Sequence, residues 1–117
     1  MIKGIGLDVT EIERITVAHD SSSKFKERIL TTQEIKRFEK LSEMRQLEFL
    51  AGRFAAKEAF AKALGTGIGK SCSFHDIEVL PNEVGKPMLF FKGIEVKGHI
   101  SITHTKQFAA AQVILVE

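Results

Sequence analysis

Phe54-Ala55-Ala56-Lys57-Glu58-Ala59-Phe60-Ala61-Lys62-Ala63-Leu64-Gly65-Thr66-Gly67 is where this chain changes character. Alanine and leucine are strong helix formers, and Gly65 stands where a left-handed C-cap would end a helix. Upstream, Ser42 or Glu43 opens this longest helix, which reaches Leu64 with Met44, Leu47, Leu50, Ala51, Phe54 and Phe60 expected on its buried side. Thr31 followed by Glu34 is a capping-box pattern for a helix running to about Leu41. Asp20-Ser21-Ser22-Ser23 reads as a turn, one serine of which caps a helix from Lys24 to about Ile29. Downstream the period shortens. Phe74 to Leu80, Pro87 to Lys92, Glu95 to Thr103 and Phe108 to Val116 read as strands rich in Ile, Val and Phe, parted by turns at Pro81-Asn82, Lys92-Gly93 and Thr105-Lys106. A helical N-terminal half followed by an antiparallel sheet predicts an α+β domain.

Composition bounds the problem. With 117 residues, 44% hydrophobic and 27% charged, the chain has enough apolar surface for one globular domain spanning 1–117. The net charge of +2 is small and the basic residues form no run, which argues against a nucleic-acid-binding tail. No apolar stretch approaches a membrane span, and Met1-Ile2-Lys3-Gly4 lacks the apolar core of a signal peptide, so a cytoplasmic protein is expected. The single cysteine, Cys72, cannot make an internal disulfide and, with no Cys/His cluster nearby, is expected to be a small buried or half-buried side chain rather than a nucleophile.

Glu58 and Lys62 are four residues apart and therefore share a helix face. Such a pair is commonly a surface ornament worth about 0.2–0.5 kcal/mol. Facing a glycine loop whose backbone can approach a ligand, the same two groups could handle a metal-bound phosphate: the carboxylate holds a hard cation while the lysine meets phosphate oxygens. A second carboxylate stands in Gly4-Ile5-Gly6-Leu7-Asp8-Val9-Thr10-Glu11-Ile12-Glu13-Arg14-Ile15. Ile2, Ile5, Leu7 and Val9 predict a short buried strand, and Gly4 and Gly6 predict close backbone contact. Asp8 then falls where strand gives way to a helix beginning near Thr10, and Asp8 with Glu11 fits a capping box as well as a metal ligand. The loop Gly65-Thr66-Gly67-Ile68-Gly69-Lys70-Ser71 is not a P-loop, because Leu64 occupies the first glycine position and the helix precedes the loop.

Taken together, Gly4-Ile5-Gly6-Leu7-Asp8 with Glu11, Ile12 and Arg14, then Arg53 to Gly67, Gly85-Lys86-Pro87 and Ile100-Ser101-Ile102-Thr103-His104-Thr105-Lys106-Gln107-Phe108 resemble the holo-[acyl-carrier-protein] synthases, the small 4′-phosphopantetheinyl transferases of bacterial fatty-acid synthesis. The resemblance spans nearly the whole chain; Ala18 to Lys24 and the linker at Asn82 and Glu83 align poorly. It implies transfer of 4′-phosphopantetheine from coenzyme A to a serine of apo acyl carrier protein, leaving 3′,5′-ADP. It also implies Asp8 and Glu58 as ligands to Mg²⁺, with Mn²⁺ equally suited to oxygen ligation, and Lys62 as the cation that stabilises the phosphates. The serine proton would go to Glu58 or to a water on the metal. His104 and Thr105 are implied as contacts to the 3′-phosphate, with Arg45 and Arg53 as cationic companions and Gly65 and Pro87 beside the coenzyme. For the acidic carrier protein the resemblance implies Arg14 and Arg28, with Phe25 inserted between charges and Lys24 and Lys26 extending the basic patch. Family members are homotrimers with active sites between subunits.

Plainer readings stand beside these. Arg14 would serve as a helix-end charge, Phe25 as core, Arg45 as a solvated cation and His104 as a structural residue at a strand end; His19, His75 and His99 carry no motif. A non-enzymatic carrier-protein adaptor would need the basic helical surface but not Asp8 with Glu58. Another small metal-dependent phosphoryl enzyme would keep the carboxylates and act without a carrier protein.

Overall fold

Gly4 and Gly6 lie on the face of β1 (Ile2–Glu11) that meets α4 (Glu43–Leu64) in the computed structural model, which describes residues 1–117. A Cβ at Gly6 would fall 1.7 Å from the Ala59 carbonyl oxygen, and one at Gly4 would fall 2.1 Å from that of Ala63. Only glycine lets the strand lie this close to the helix. β1 pairs antiparallel with β6 (Phe108–Val116), and β6 with β5 (Gly98–His104), giving a sheet of order β1-β6-β5. The shorter β2 (Ile77–Pro81), β3 (Pro87–Phe91) and β4 (Ile94–Glu95) form a second sheet of order β2-β3-β4.

α4 is the spine between two apolar clusters. Ala55, Ala59, Phe60 and Ala63 pack with Ile77, Val79, Leu89, Val113 and Leu115 from the sheets. Leu50 and Ala51 pack instead with Ile12 and Ile15 of α1 (Ile12–Ser21), Ile29 of α2 (Lys24–Ile29) and Phe38 of α3 (Thr32–Phe38). Each fully buried Leu, Ile or Phe contributes about 1.5–3 kcal/mol, so α4 is held from both sides.

The helical half and antiparallel strands agree with the sequence reading, as do several local signals. Thr31 and Glu34 form the expected capping box. Gly65 caps α4 in the left-handed region at φ 93°, and Lys92 and Gly93 both take positive φ in the β3–β4 turn.

Other expectations are corrected. Asp8 is not a helix cap: β1 continues to Glu11, because the β6 ladder runs on to Phe108 and Ile12 N–H then donates to the Gln107 carbonyl. Those backbone groups find partners in the sheet rather than in a side chain. α1 takes in Asp20 and Ser21, and α3 ends at Phe38, where Lys40 and Leu41 close tighter turns onto Arg37 and Phe38. Phe74–Asp76 is a 3₁₀ turn capped by Ser73, so its strand begins at Ile77. The predicted strand Glu95–Thr103 is divided, since Glu95 belongs to the second sheet and Gly98 opens the first. Met44 is exposed, and Ile2, Ile5, Leu7 and Val9, expected to be buried, stand more than half exposed. The glycine face of β1 is the one α4 covers.

Candidate active site

The close approach of β1 and α4 sets Asp8 beside the last turns of the helix. Lys62 Nζ lies 3.1 Å from Asp8 Oδ1 and donates to the Leu7 carbonyl at 3.0 Å. The lysine thus pairs across elements with Asp8, and no ion pair joins it to Glu58. Asp8 is largely covered whereas Lys62 is half exposed, at 15% and 51% of their side-chain surface. A pair this open to water adds at most about 1 kcal/mol to stability, so its geometry is of more consequence than its strength. Thr10, two residues along the same strand face, donates its hydroxyl to Asp8 Oδ2 at 2.7 Å. No motif marks Thr10 in the sequence; only its period-2 spacing from Asp8 puts the two on one strand face.

Glu58 completes the cluster. Burial raises its pKa above the ordinary glutamate range, the Asp8 charge raises it further, and Lys62 pulls the other way. Two carboxylates that repel each other suit a hard divalent cation, whose charge would relieve that repulsion. No third His, Cys, Asp or Glu joins them, so the donor set fits an ion that keeps most of its positions for water and substrate oxygens, as Mg²⁺ does. Cys72 is buried, and burial pushes its thiol pKa up, consistent with a packing role.

The residues assigned to a carrier protein gather on the same side. Asp8, Thr10, Arg14, Phe25 and Phe54 border a cavity of about 340 Å³. Phe25 and Phe54 also wall a neighbouring groove that continues past Arg28 to Phe74. Arg14 lies in the first turn of α1 rather than at a helix C-terminus, so the dipole reading of that charge fails. Phe25 is half-buried at the junction of the two cavities.

The residues assigned to the nucleotide lie elsewhere. Arg45, Arg53 and His104 share a depression with Phe49 and Glu48, and it has no residue in common with the Asp8 cavity. Arg53 stacks its guanidinium 4.3 Å from the Phe49 ring centre and donates Nε to the Val79 carbonyl at 3.2 Å. His104 Nδ1 stands 3.6 Å from Glu48 Oε2, an acid that an incoming phosphate would have to displace. The Thr105 hydroxyl accepts from the Gln107 and Phe108 N–H groups, so it builds the β5–β6 turn. Gly65 follows Lys62 at the helix exit, while Pro87 opens β3 in the second sheet and borders neither the Asp8 cavity nor the Arg45 depression.

A small α+β enzyme of group transfer is the class that this fold and its carboxylate–ammonium cluster define. The chain belongs to the 4′-phosphopantetheinyl transferase superfamily, whose sequence profile matches residues 4–115. It is 59% identical to a holo-[acyl-carrier-protein] synthase of Bacillus pumilus, over 98% of this chain and 96% of that one. Against the synthase of Bacillus subtilis the identity is 53%, over 98% and 96%. Among solved structures, the Bacillus anthracis synthase in complex with coenzyme A (3′,5′-ADP) aligns with TM-score 0.88 and 51% identity, covering 98% of this chain and 96% of that one. The Neisseria meningitidis synthase aligns with TM-score 0.89 and 33% identity over the whole of both chains.

Proposed function

We infer that this chain transfers 4′-phosphopantetheine from coenzyme A to a serine hydroxyl of apo acyl carrier protein. The convergence of Asp8, Glu58 and Lys62 where β1 crosses α4 is the observation that carries the chemistry. The serine oxygen forms a bond to the phosphorus bearing the pantetheine, the pyrophosphate P–O bond breaks, and 3′,5′-ADP departs with the electron pair. The attacking hydroxyl comes from the carrier protein, so the enzyme needs no nucleophile of its own.

Asp8 and Glu58 would hold Mg²⁺, or Mn²⁺, which when bound neutralises phosphate oxygens as a Lewis acid. Lys62 turns from Asp8 to the phosphates and stabilises the departing charge. Thr10 keeps Asp8 oriented. Glu58 is the carboxylate of this chain that would take the serine proton.

The remaining roles follow from position and charge. Arg14 and Arg28 attract an acidic carrier protein and Phe25 packs against it, so that binding weakens with salt. Arg45, Arg53 and His104 receive the nucleotide, with Thr105, Gly65 and Pro87 around it. The nucleotide residues and Asp8 occupy separate depressions on one chain, which favours a homotrimer whose active sites lie between subunits. Ile5, Leu7 and Val9, exposed on the outer face of β1, supply an apolar surface for that assembly. The setting is cytoplasmic fatty-acid synthesis; no helix of the chain is long and apolar enough to cross a membrane.

Intact-mass spectrometry of an apo acyl carrier protein, incubated with this enzyme, coenzyme A and Mg²⁺, tests the reading. A gain of one phosphopantetheine group, lost when a chelator is added, supports both the reaction and the metal. An unchanged mass with a carrier protein that a known synthase converts would contradict it.

A further inference from the structure

Lys57 is the chain neighbour of Glu58, yet it points the other way and is fully buried. Its Nζ donates to Glu34 Oε1 at 2.6 Å, to the Ile29 carbonyl at 2.6 Å and to the Phe74 carbonyl at 3.0 Å. An ammonium has three protons, so each is used. Glu34 is equally buried: Oε1 also accepts from Thr31 N–H and Oε2 accepts from Val79 N–H, each at 2.8 Å. Burying two opposite charges gains little net stability, because desolvation cancels most of the attraction. The pair therefore fixes geometry more than it adds energy.

The geometry it fixes borders the active site. Ile29 ends α2, the helix that carries Phe25 and Arg28, and Phe74 stacks on Phe54 at 5.5 Å between ring centres. Phe25, Arg28 and Ile29 form one wall of the groove beside Asp8's cavity, while Phe54 and Phe74 form the other. A single ammonium on α4 thus bonds a backbone carbonyl in each wall.

We propose that Lys57, with Glu34 as its counter-charge, is a positioning residue that sets the spacing of the Phe25–Phe74 groove and thereby the affinity for the acyl carrier protein. The proposal rests on the reading that the carrier protein docks at Arg14, Phe25 and Arg28. Lys57 itself touches no substrate and acts through α2 and the Phe74 turn.

Steady-state kinetics separate this role from a general loss of fold. Lys57→Met, the double variant Glu34→Leu with Lys57→Met, and Arg28→Ala are compared with the native enzyme, folding being checked by circular dichroism. Lys57→Met is expected to raise KM for the carrier protein about tenfold, leaving KM for coenzyme A and kcat within about twofold. If Lys57→Met does not fold, the double variant, which buries no lone charge, carries the same test. A fall in kcat with both KM values unchanged reports only fewer active molecules and overturns the proposal. So does failure of both variants to fold, which would make the pair a folding element alone. If Arg28→Ala leaves the carrier KM unchanged, the docking reading fails and this inference with it. If Arg28→Ala raises that KM and the folded Lys57 variant does not, the positioning role alone is refuted.

Discussion

Gly6 of β1 lies against the carbonyl of Ala59 on α4, where an added Cβ would come within 1.7 Å, and this contact brings Asp8 within reach of Lys62. The neighbour is backbone rather than a flexible side chain, so Gly6→Ala must push the strand off the helix. Overpacking of this kind costs about 1–3 kcal/mol, and the upper end is expected at Gly6. A urea titration should show that loss, and transferase activity should fall further than the folded fraction because Asp8 moves with the strand.

Glu58→Gln is expected to stabilise the metal-free protein at neutral pH while abolishing transfer. Glu58 holds its proton more tightly in the folded chain than in the unfolded one, through burial first and Asp8 second. The ionised form therefore weakens folding, fully so above the raised folded pKa. Below the unfolded pKa, both states carry the proton and the penalty vanishes. Thermal midpoints in chelator, taken across pH, should show the variant above the native protein at pH 7, with the gap closing as pH falls through that window.

Leu7→Asp should leave the domain folded but prevent assembly. Leu7 is 57% exposed on the outer face of β1, beside Ile5 and Val9, so the substitution costs the single chain little and charges the apolar surface. Light scattering is expected to give a mass near 13.0 kDa for the variant and about three times that for the native protein.

If each active site draws on two subunits, inactive partners should rescue each other. Glu58→Gln and Arg53→Ala chains, each nearly inactive alone, should recover measurable transfer once mixed, unfolded and refolded together. No recovery in mixed assemblies would place both residues in one subunit's site.

Much of this architecture is legible in local sequence. The helix exit at Gly65, the Thr31–Glu34 capping box and the cushion at Gly4 and Gly6 are each specified by residues within a few positions of one another. Glu58 and Lys62 could be put on one helix face for the same reason. Their partner could not: Lys62 chooses Asp8, 54 residues away, over the acid one turn back. Lys57 reads as an ordinary helix charge because its three acceptors come from segments far apart in the chain. Asp8 reads locally as a cap because the length of β1 depends on how far β6 extends opposite it. The apolar residues of β1 announce burial by their chemistry, yet α4 covers the glycine face of the strand and leaves Ile5, Leu7 and Val9 exposed.

The most direct test compares native enzyme with Glu58→Gln by the intact mass of an apo acyl carrier protein after incubation with coenzyme A and Mg²⁺. The native enzyme should add one phosphopantetheine group to every carrier molecule, and the variant, folded and at least as stable, should add none within the same time. Full conversion by Glu58→Gln would contradict the assignment of the Asp8–Glu58–Lys62 cluster as the catalytic centre.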